Sequence, residues 1–281
     1  MTRPRLPLLM SWPYITADVR RALIQHGSRL DLFMDCGAVT AYAAGRELSV
    51  DNYCKFLEGL DKDGIRPWAY MALDRIGDPE QTRANHSTMM KRGFKPIPVW
   101  TRNDDPERLD ELFTHSKIVA IGGLATRSGS RIAYMQKAMD LAAGRPVHLL
   151  GMSSVDGLKR LRPFSSDSSS WESAARYGKL IVYDGMGKFR MLDRASLLKR
   201  PDDSIIHRLR ELGCDPFALK KDAAWRGGSS MTRAISAASW CALSRDLVKN
   251  VGTRLFLAAA NQPAMMALVR AHVYQTEGAT V

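Results

Sequence analysis

Short apolar runs recur along the chain at intervals too long for β-hairpins. They read LPLLMSW (6–12), RLDLFMD (29–35), RPWAYMALD (66–74), KPIPVW (95–100), KIVAIGG (117–123), PVHLLGM (146–152), RPFSSDSSS (162–170) and KLIVYD (179–184). Between most of them the spacing turns helical. TADVRRALIQHG places Val19, Leu23 and Ile24 on one face and stops at Gly27. SVDNYCKFLEGLDKDG opens on a Ser cap and stops at Gly64, and SRIAYMQKAMDLAAG stops at Gly144. A polar cap at the start and a glycine at the end delimit helices. Strands that alternate with helices are joined by crossovers, which makes their sheet parallel. Eight runs between residues 6 and 184 predict an α/β fold, a (β/α)8 barrel of the TIM type. A doubly wound open sheet is the alternative. The weakest strands are KPIPVW, whose prolines remove ladder donors, and the Ser-rich RPFSSDSSS.

After Asp184 the pattern changes. DRASLLKRPDDSIIHRLRELG reads as a charged amphipathic helix interrupted at Pro201, and the stretch from Met231 to Gln275 is rich in Ala, Leu and Met at helical spacing. The expected organisation is a barrel over residues 1–185 and a helical extension over 186–281 packed on it, its Met and Trp stripes forming core. LKKDAAWRGGSS, between the helices, is basic and carries one Trp, a pattern that fits a nucleic-acid-contacting loop and a solvated linker equally.

Composition narrows the partners. Lys and Arg outnumber Asp and Glu by 41 to 29, a net charge of +12. Such an excess favours a polyanion, nucleic acid first. Lys188, Arg190, Lys220, Lys221 and Arg226 are candidate phosphate contacts, although basic residues on helix faces are also simply solvated. The four cysteines are scattered without a Cys-x-x-Cys pair, which argues against a disulfide framework and a Cys-rich zinc site. No histidine pair shows metal-ligand spacing. No apolar stretch reaches membrane-spanning length, and the N-terminal apolar run is too short for a signal peptide, so a cytoplasmic protein with no membrane partner is expected.

Barrels of this type carry their chemistry at the carboxyl ends of the strands. The run ends are Asp35, Asp74, Trp100 with Thr101, Gly122 with Gly123, Gly151 with Met152, and Asp167. A strand-end Asp often serves only as a helix N-cap; near Asp74, Asp78 can take that role instead. Phe164 and Trp171 bracket Asp167 and tie down a Ser-rich loop. Two carboxylates at one anomeric centre are what glycosyl transfer requires, one as nucleophile or charge stabiliser and one moving protons. A Gly-Gly turn beside them lets backbone amides approach a carbonyl oxygen, and a third carboxylate can accept from the amine edge of guanine.

These motifs resemble the tRNA-guanine transglycosylase superfamily over residues 30–171. FMDCGAV resembles its Asp-Ser-Gly-Gly-aromatic motif, AIGGLATRSG its Gly-Gly-Leu-Ala motif, and VHLLGMSS followed by RPFSSDSSSW its Leu-Met-Gly-Val-Gly segment followed by the nucleophilic Asp. The resemblance implies that Asp167 attacks C1′ and forms a covalent glycosyl intermediate, and that Asp35 protonates the departing base or deprotonates the incoming one. It also implies that Asp74 reads the amino edge of the base, that Gly123 and Leu124 offer amides to its carbonyl, and that Leu150 lies under it, with Gly122 and Gly151 counted among the substrate-binding residues. Cys36 replaces the family's Ser, Ala38 and Val39 replace Gly and an aromatic, and Trp100 stands near a base-contacting Gln.

The family's structural zinc motif is absent, so no cofactor is expected. A zinc-free basic chain is most similar to the phage and bacterial-island transglycosylases that place 7-deazaguanines in DNA. DNA and a free 7-deazaguanine are then the partners, with tRNA as the alternative polymer and self-association implied by the tRNA enzymes. A non-catalytic nucleic-acid-binding barrel and an unrelated barrel hydrolase acting on a small glycoside or nucleoside are the competing readings.

Overall fold

The computed structural model describes residues 4–123, 131–173, 177–199, 202–225 and 231–278. In chain order the elements are β1 (Leu6–Ser11), α1 (Ala17–His26), β2 (Leu30–Asp35), α2 (Ala38–Ala43), α3 (Val50–Lys62), β3 (Ala69–Tyr70), α4 (Pro79–Lys91), β4 (Val99–Trp100), α5 (Pro106–His115), β5 (Val119–Ile121), α6 (Arg131–Ala142), β6 (Val147–Leu149), α7 (Val155–Leu161) and β7 (Ser165–Ser168). There follow β8 (Leu180–Tyr183), β9 (Phe189–Leu192), α8 (Arg194–Lys199), α9 (Asp203–Glu211), α10 (Met231–Val251), β10 (Arg254–Ala258) and α11 (Gln262–Glu277).

The caps expected at Thr16 and Ser49 form, while Ser130, before α6, lies outside the described residues. Thr16 and Ser49 accept from the backbone N–H three residues on at the starts of α1 and α3, and Ser154 does so for α7. Asp78 caps α4, with Pro79 in its first turn. In α1 the buried face is Val19, Ala22, Leu23 and His26, while Ile24, expected on that face, is exposed.

Eight strands form one parallel sheet in the order β3-β2-β1-β10-β7-β6-β5-β4. It is curled, and helices cover its outer face. Beyond β3 and before β4, Met71 and Ile97 make a further parallel bridge, with Ile97 N–H donating to Tyr70 O at 2.8 Å and Ala72 N–H to Ile97 O at 2.8 Å. Pro96 and Pro98 flank that bridge, and their missing N–H groups keep β4 short.

Two parts of the expected layout are corrected. KLIVYD is not the eighth strand of the sheet: β8 pairs antiparallel with β9 as a separate hairpin. The sheet instead takes β10, from a stretch read as continuous helix, and inserts it between β1 and β7. The chain therefore does not divide at residue 185. The segment after β7 leaves the sheet, forms the hairpin and short helices, and returns through α10 to β10. Gly252, at φ +82°, ends the helix and allows the turn into that strand.

The two faces of the strands bury different cores. Outward side chains pack beneath the helices. Inward ones, Leu9, Phe33, Met71, Ile97, Val99, Ala120 and Phe256, form a second cluster. Phe33 meets Phe256 edge-on at 5.1 Å between ring centroids, and His148 at 4.7 Å. At the amino end Asp31 takes Arg5 at 3.2 Å and Arg254 at 3.4 Å, and the Arg254 guanidinium lies 5.0 Å from the Trp68 ring centroid. Charge pairs and aromatic packing thus fill that end.

The topology makes a direct test. A fragment of residues 1–185 lacks β10, which leaves β1 and β7 each with an unpaired edge in mid-sheet. It is expected to be insoluble or to melt without a cooperative transition, whereas the full chain melts cooperatively. A sharp thermal transition for the fragment, followed by circular dichroism, would contradict this topology.

Candidate active site

Side chains alternate across each strand, so the register fixes which groups share the mouth at the carboxyl ends. Asp35 lies two residues beyond inward-facing Phe33 and pairs in register with Ser11 of β1. Asp167 is in register with Phe256 of β10. Leu150 and Gly122 follow inward-facing positions of β6 and β5, and a Cβ on Gly122 would meet Val99 Cγ1 at 3.0 Å and Leu150 Cδ1 at 3.6 Å.

None of the three strand-end carboxylates is the N-cap of a following helix. Gly37 occupies that position for α2 and Asp78 for α4. Asp35 Oδ2 accepts from Ser11 Oγ at 2.7 Å and from Gly37 N–H at 3.0 Å. Gly37 is required there. Its φ is +82°, and an added Cβ would come within 2.5 Å of Pro13 Cδ. Asp74 Oδ1 accepts from Thr82 Oγ1 at 2.9 Å.

Burial raises the Asp35 carboxyl above the usual range; the bonds from Ser11 and Gly37 oppose this, and the charge of Asp167 adds to it. Burial also raises Asp74, opposed by Thr82 and reinforced by Asp35. Three carboxylates on separate strand ends are therefore electrostatically linked, Asp35 to both others. Cys36, buried beside Asp35 and Asp74, is pushed well up by burial and then by those charges, so it is a neutral thiol and not a nucleophile.

Asp167 is held differently. Its Oδ1 accepts from Gly151 N–H at 2.9 Å and lies 3.2 Å from His148 Nε2. His148 Nδ1 is 2.9 Å from Ser165 Oγ. Sequence reasoning missed His148 because it weighed histidines only as metal ligands. The available signal was parity: His148 shares the inward face of β6 with Leu150. Ser165, His148 and Asp167 resemble a nucleophilic triad in composition. Ser165, however, is 0% exposed beneath the carboxylate, so its hydroxyl reaches no substrate and serves the ring. Beyond β7, Trp171 is fully buried. Its Nε1–H donates to Ala258 O at 2.7 Å, and Arg233 of α10 pairs with neighbouring Glu172. The Ser-rich strand is fixed by that anchor.

Other expected site residues divide. Gly123 has φ +82° with its Cα side against Arg102 N, which places the Gly-Gly turn at the mouth. Gly151 is at the mouth, but its N–H is committed to Asp167. Trp100 is not in the site. It faces the helix layer, stacks on Tyr134 at 6.2 Å and donates from Nε1 to Asp105 O at 3.1 Å; Thr101 takes the inward position. Leu124 and Arg226 lie outside the described residues.

The basic candidates lie on separate segments. Lys188 is at the turn of the β8–β9 hairpin. Neighbouring Gly187 lies against Lys159 of α7, and Tyr183 donates to Asp246 near the end of α10 at 2.7 Å. Arg190 pairs with Asp202 at 2.6 Å. Lys220 and Lys221 are exposed, the Lys220 ammonium 5.2 Å from the Phe217 ring centroid. Among the described residues, no helix is long and apolar enough to cross a membrane.

A raised Asp35 has a stability consequence with a definite sign. Below the ordinary carboxylate range the native and unfolded forms are both protonated. As pH rises through the higher native value, the folded protein must hold a desolvated charge, and stability is lost. Asp35→Asn keeps an acceptor for Gly37 N–H without the charge. It is expected to melt about 2–4 °C above wild type at pH 7, roughly a 1 kcal/mol gain, with the difference vanishing near about pH 4. Equal melting temperatures at pH 7 would show that Asp35 is not strained by its charge.

No protein-family model matches the sequence, and no curated protein matches it. One solved structure, described as "Structural study of Project ID from Aquifex aeolicus VF5", is similar with a TM-score of 0.35 at 11% sequence identity. The match covers 51% of this chain and 54% of that one, so this chain spans about half the length of the structure it matches.

Proposed function

We propose that this chain is a base-exchange enzyme, a guanine transglycosylase that replaces guanine in DNA by a 7-deazaguanine such as 7-cyano-7-deazaguanine. The observation that carries the reading is the linked rim of Asp35, Asp74 and Asp167 on three strand ends, each in a different hydrogen-bonding environment. Glycosyl exchange needs two carboxylates with opposite duties and a third group to read the base. The (β/α)8 barrel belongs to the same proposal. The Met71–Ile97 bridge between the two ends of the sheet order supports it.

In this mechanism a carboxylate oxygen of Asp167 bonds to C1′ of the target nucleotide as the C1′–N9 bond breaks. The departing guanine takes the electron pair and receives a proton from Asp35, whose raised carboxyl favours the protonated form such a donor needs. The incoming base then loses its N9 proton to Asp35 and attacks C1′, and Asp167 leaves as carboxylate. No water is consumed and no oxidant is required. Asp74 accepts from the amine edge of the base; the Gly122 N–H is committed to Trp100 O at 2.8 Å and is not offered to the base carbonyl.

Reaching C1′ requires the target nucleotide out of its stack, at a cost of a few kcal/mol. The net charge of +12 offsets this through contacts with the phosphates. That charge suits either polymer, and the missing zinc motif favours DNA over tRNA.

The test is incubation of the chain with radiolabelled guanine and either duplex DNA or bulk tRNA. Label is expected in DNA, with exchange at least about 10³-fold slower in Asp167→Ala, the scale for losing a nucleophile. Label in tRNA alone would overturn the polymer and keep the chemistry. Incorporation into neither, or full activity in Asp167→Ala, would overturn the enzyme reading.

A further inference from the structure

We propose that His148 is the positioning residue of the nucleophile: it clamps Oδ1 of Asp167 so that Oδ2 is the oxygen that attacks, an inference that rests on the transglycosylase reading above. The geometry is built, not incidental. His148 is 0% exposed, wedged edge-on against Phe33 at 4.7 Å and Phe256 at 6.2 Å between ring centroids, so its plane is fixed by packing. An ionised carboxylate only accepts hydrogen bonds, so the 3.2 Å contact makes Nε2 the donor. On a neutral ring Nδ1 is then the acceptor, and Ser165 Oγ–H, 2.9 Å away, donates to it. The order Ser165 to His148 to Asp167 thus sets the tautomer and aims the ring.

Both contacts on Asp167, from His148 and from Gly151 N–H, fall on Oδ1. Among the described residues Oδ2 accepts no hydrogen bond. Its lone pairs are uncommitted, which suits it for attack on C1′. Oδ1 becomes the carbonyl oxygen of the glycosyl ester. In the second half-reaction charge returns to the carboxylate, and the His148 and Gly151 donors already in place stabilise it as it leaves. His148 therefore acts twice, by orientation on attack and by charge on departure, while touching neither base nor sugar.

The experiment compares wild type with His148→Gln, His148→Leu, Ser165→Ala and Asp167→Ala in the labelled exchange assay. Melting temperatures are recorded, and the covalent enzyme–DNA adduct is trapped by rapid denaturation. A glutamine places an amide N–H close to where Nε2 stands; leucine offers none. His148→Leu is expected to lose about 100-fold in kcat, the scale of a misaligned reacting group, with KM for the free base within about twofold. The fraction of enzyme trapped as adduct should not fall in step with kcat, because departure is impaired as well as attack. His148→Gln should recover to within about tenfold of wild type, and Ser165→Ala should fall between the two.

Wild-type turnover in His148→Leu, with Asp167→Ala inactive, would overturn this inference and leave the proposed chemistry standing. So would equal impairment of the Gln and Leu variants accompanied by equal drops in melting temperature, which would make His148 a packing residue. Full activity in Asp167→Ala would instead remove the transglycosylase reading itself, and this inference with it.

Discussion

Backbone pairing of β10 on both sides is the constraint on which the rest of the molecule depends. It joins the first strand of the chain to the seventh, through Leu8 opposite Leu257 and Phe256 opposite Asp167. β7 is Ser-Ser-Asp-Ser, a poor strand former that owes its extended state to neighbours on both sides. A slip of one residue in that register would turn Asp167 and Ser165 outward and Ser166 and Ser168 inward. The orientation of the proposed nucleophile is therefore held from the far end of the sequence. Trp171 strengthens the hold by bonding its indole to Ala258 O, just where β10 ends.

Inside the sheet the physical problem is to carry polar groups through an apolar space. A buried imidazole or hydroxyl without a partner costs on the order of 1–3 kcal/mol. His148 and Ser165 avoid that by bonding to each other and, through the ring, to Asp167. The chain of bonds ends at the mouth, where the carboxylate is 16% exposed. Phe33 and Phe256 pack edge-on against the buried ring and hold its plane. The polar residues within the curled sheet and the Asp167 carboxylate at its rim are one continuous hydrogen-bonded chain.

Much of this arrangement can be read from sequence where local signals are strong. Seven of the eight sheet strands fall in the quoted apolar runs, because their periodicity is local, and Thr16, Ser49 and Asp78 mark helix starts through bonds that span three residues. Asp35, Asp74 and Asp167 could be named because the end of a parallel strand is a fixed place in such a fold. β10 was hidden because Arg-Leu-Phe-Leu-Ala sits in an Ala- and Leu-rich stretch whose composition is also helical. Its bounds were present as Gly252 and as the Asn261-Gln262-Pro263 helix start, yet strand identity depends on partners more than 80 residues away in sequence at β7. Trp100 was misplaced for a related reason. Being one residue from the strand end decides inward or outward, and a two-residue strand gives too little alternation to fix parity. His148 escaped because its partner, Asp167, is 19 residues on and adjacent only through the register of β6 and β7.

Electrostatics separates the proposed chemistry from simple binding. A chain of net charge +12 that only held a polyanion would gain from neutral or basic residues at its mouth. Carboxylates there repel phosphate, repel one another and lose hydration, and the raised carboxyls of Asp35 and Asp74 record that penalty. Asparagine or serine would satisfy Ser11, Gly37 and Thr82 equally well without it. In the proposed mechanism the carboxylates are there to lend an electron pair to an anomeric carbon and to exchange a proton with a departing base, neither of which an asparagine amide does well. The environments of the two central carboxylates divide along that line. Asp35 is desolvated, which raises its carboxyl above the usual range. Asp167 receives two N–H donors on one oxygen and keeps the other uncommitted. Two like groups on one rim are given unlike surroundings by the same fold, which is the division of duties that the proposed mechanism asks of a proton donor and a nucleophile.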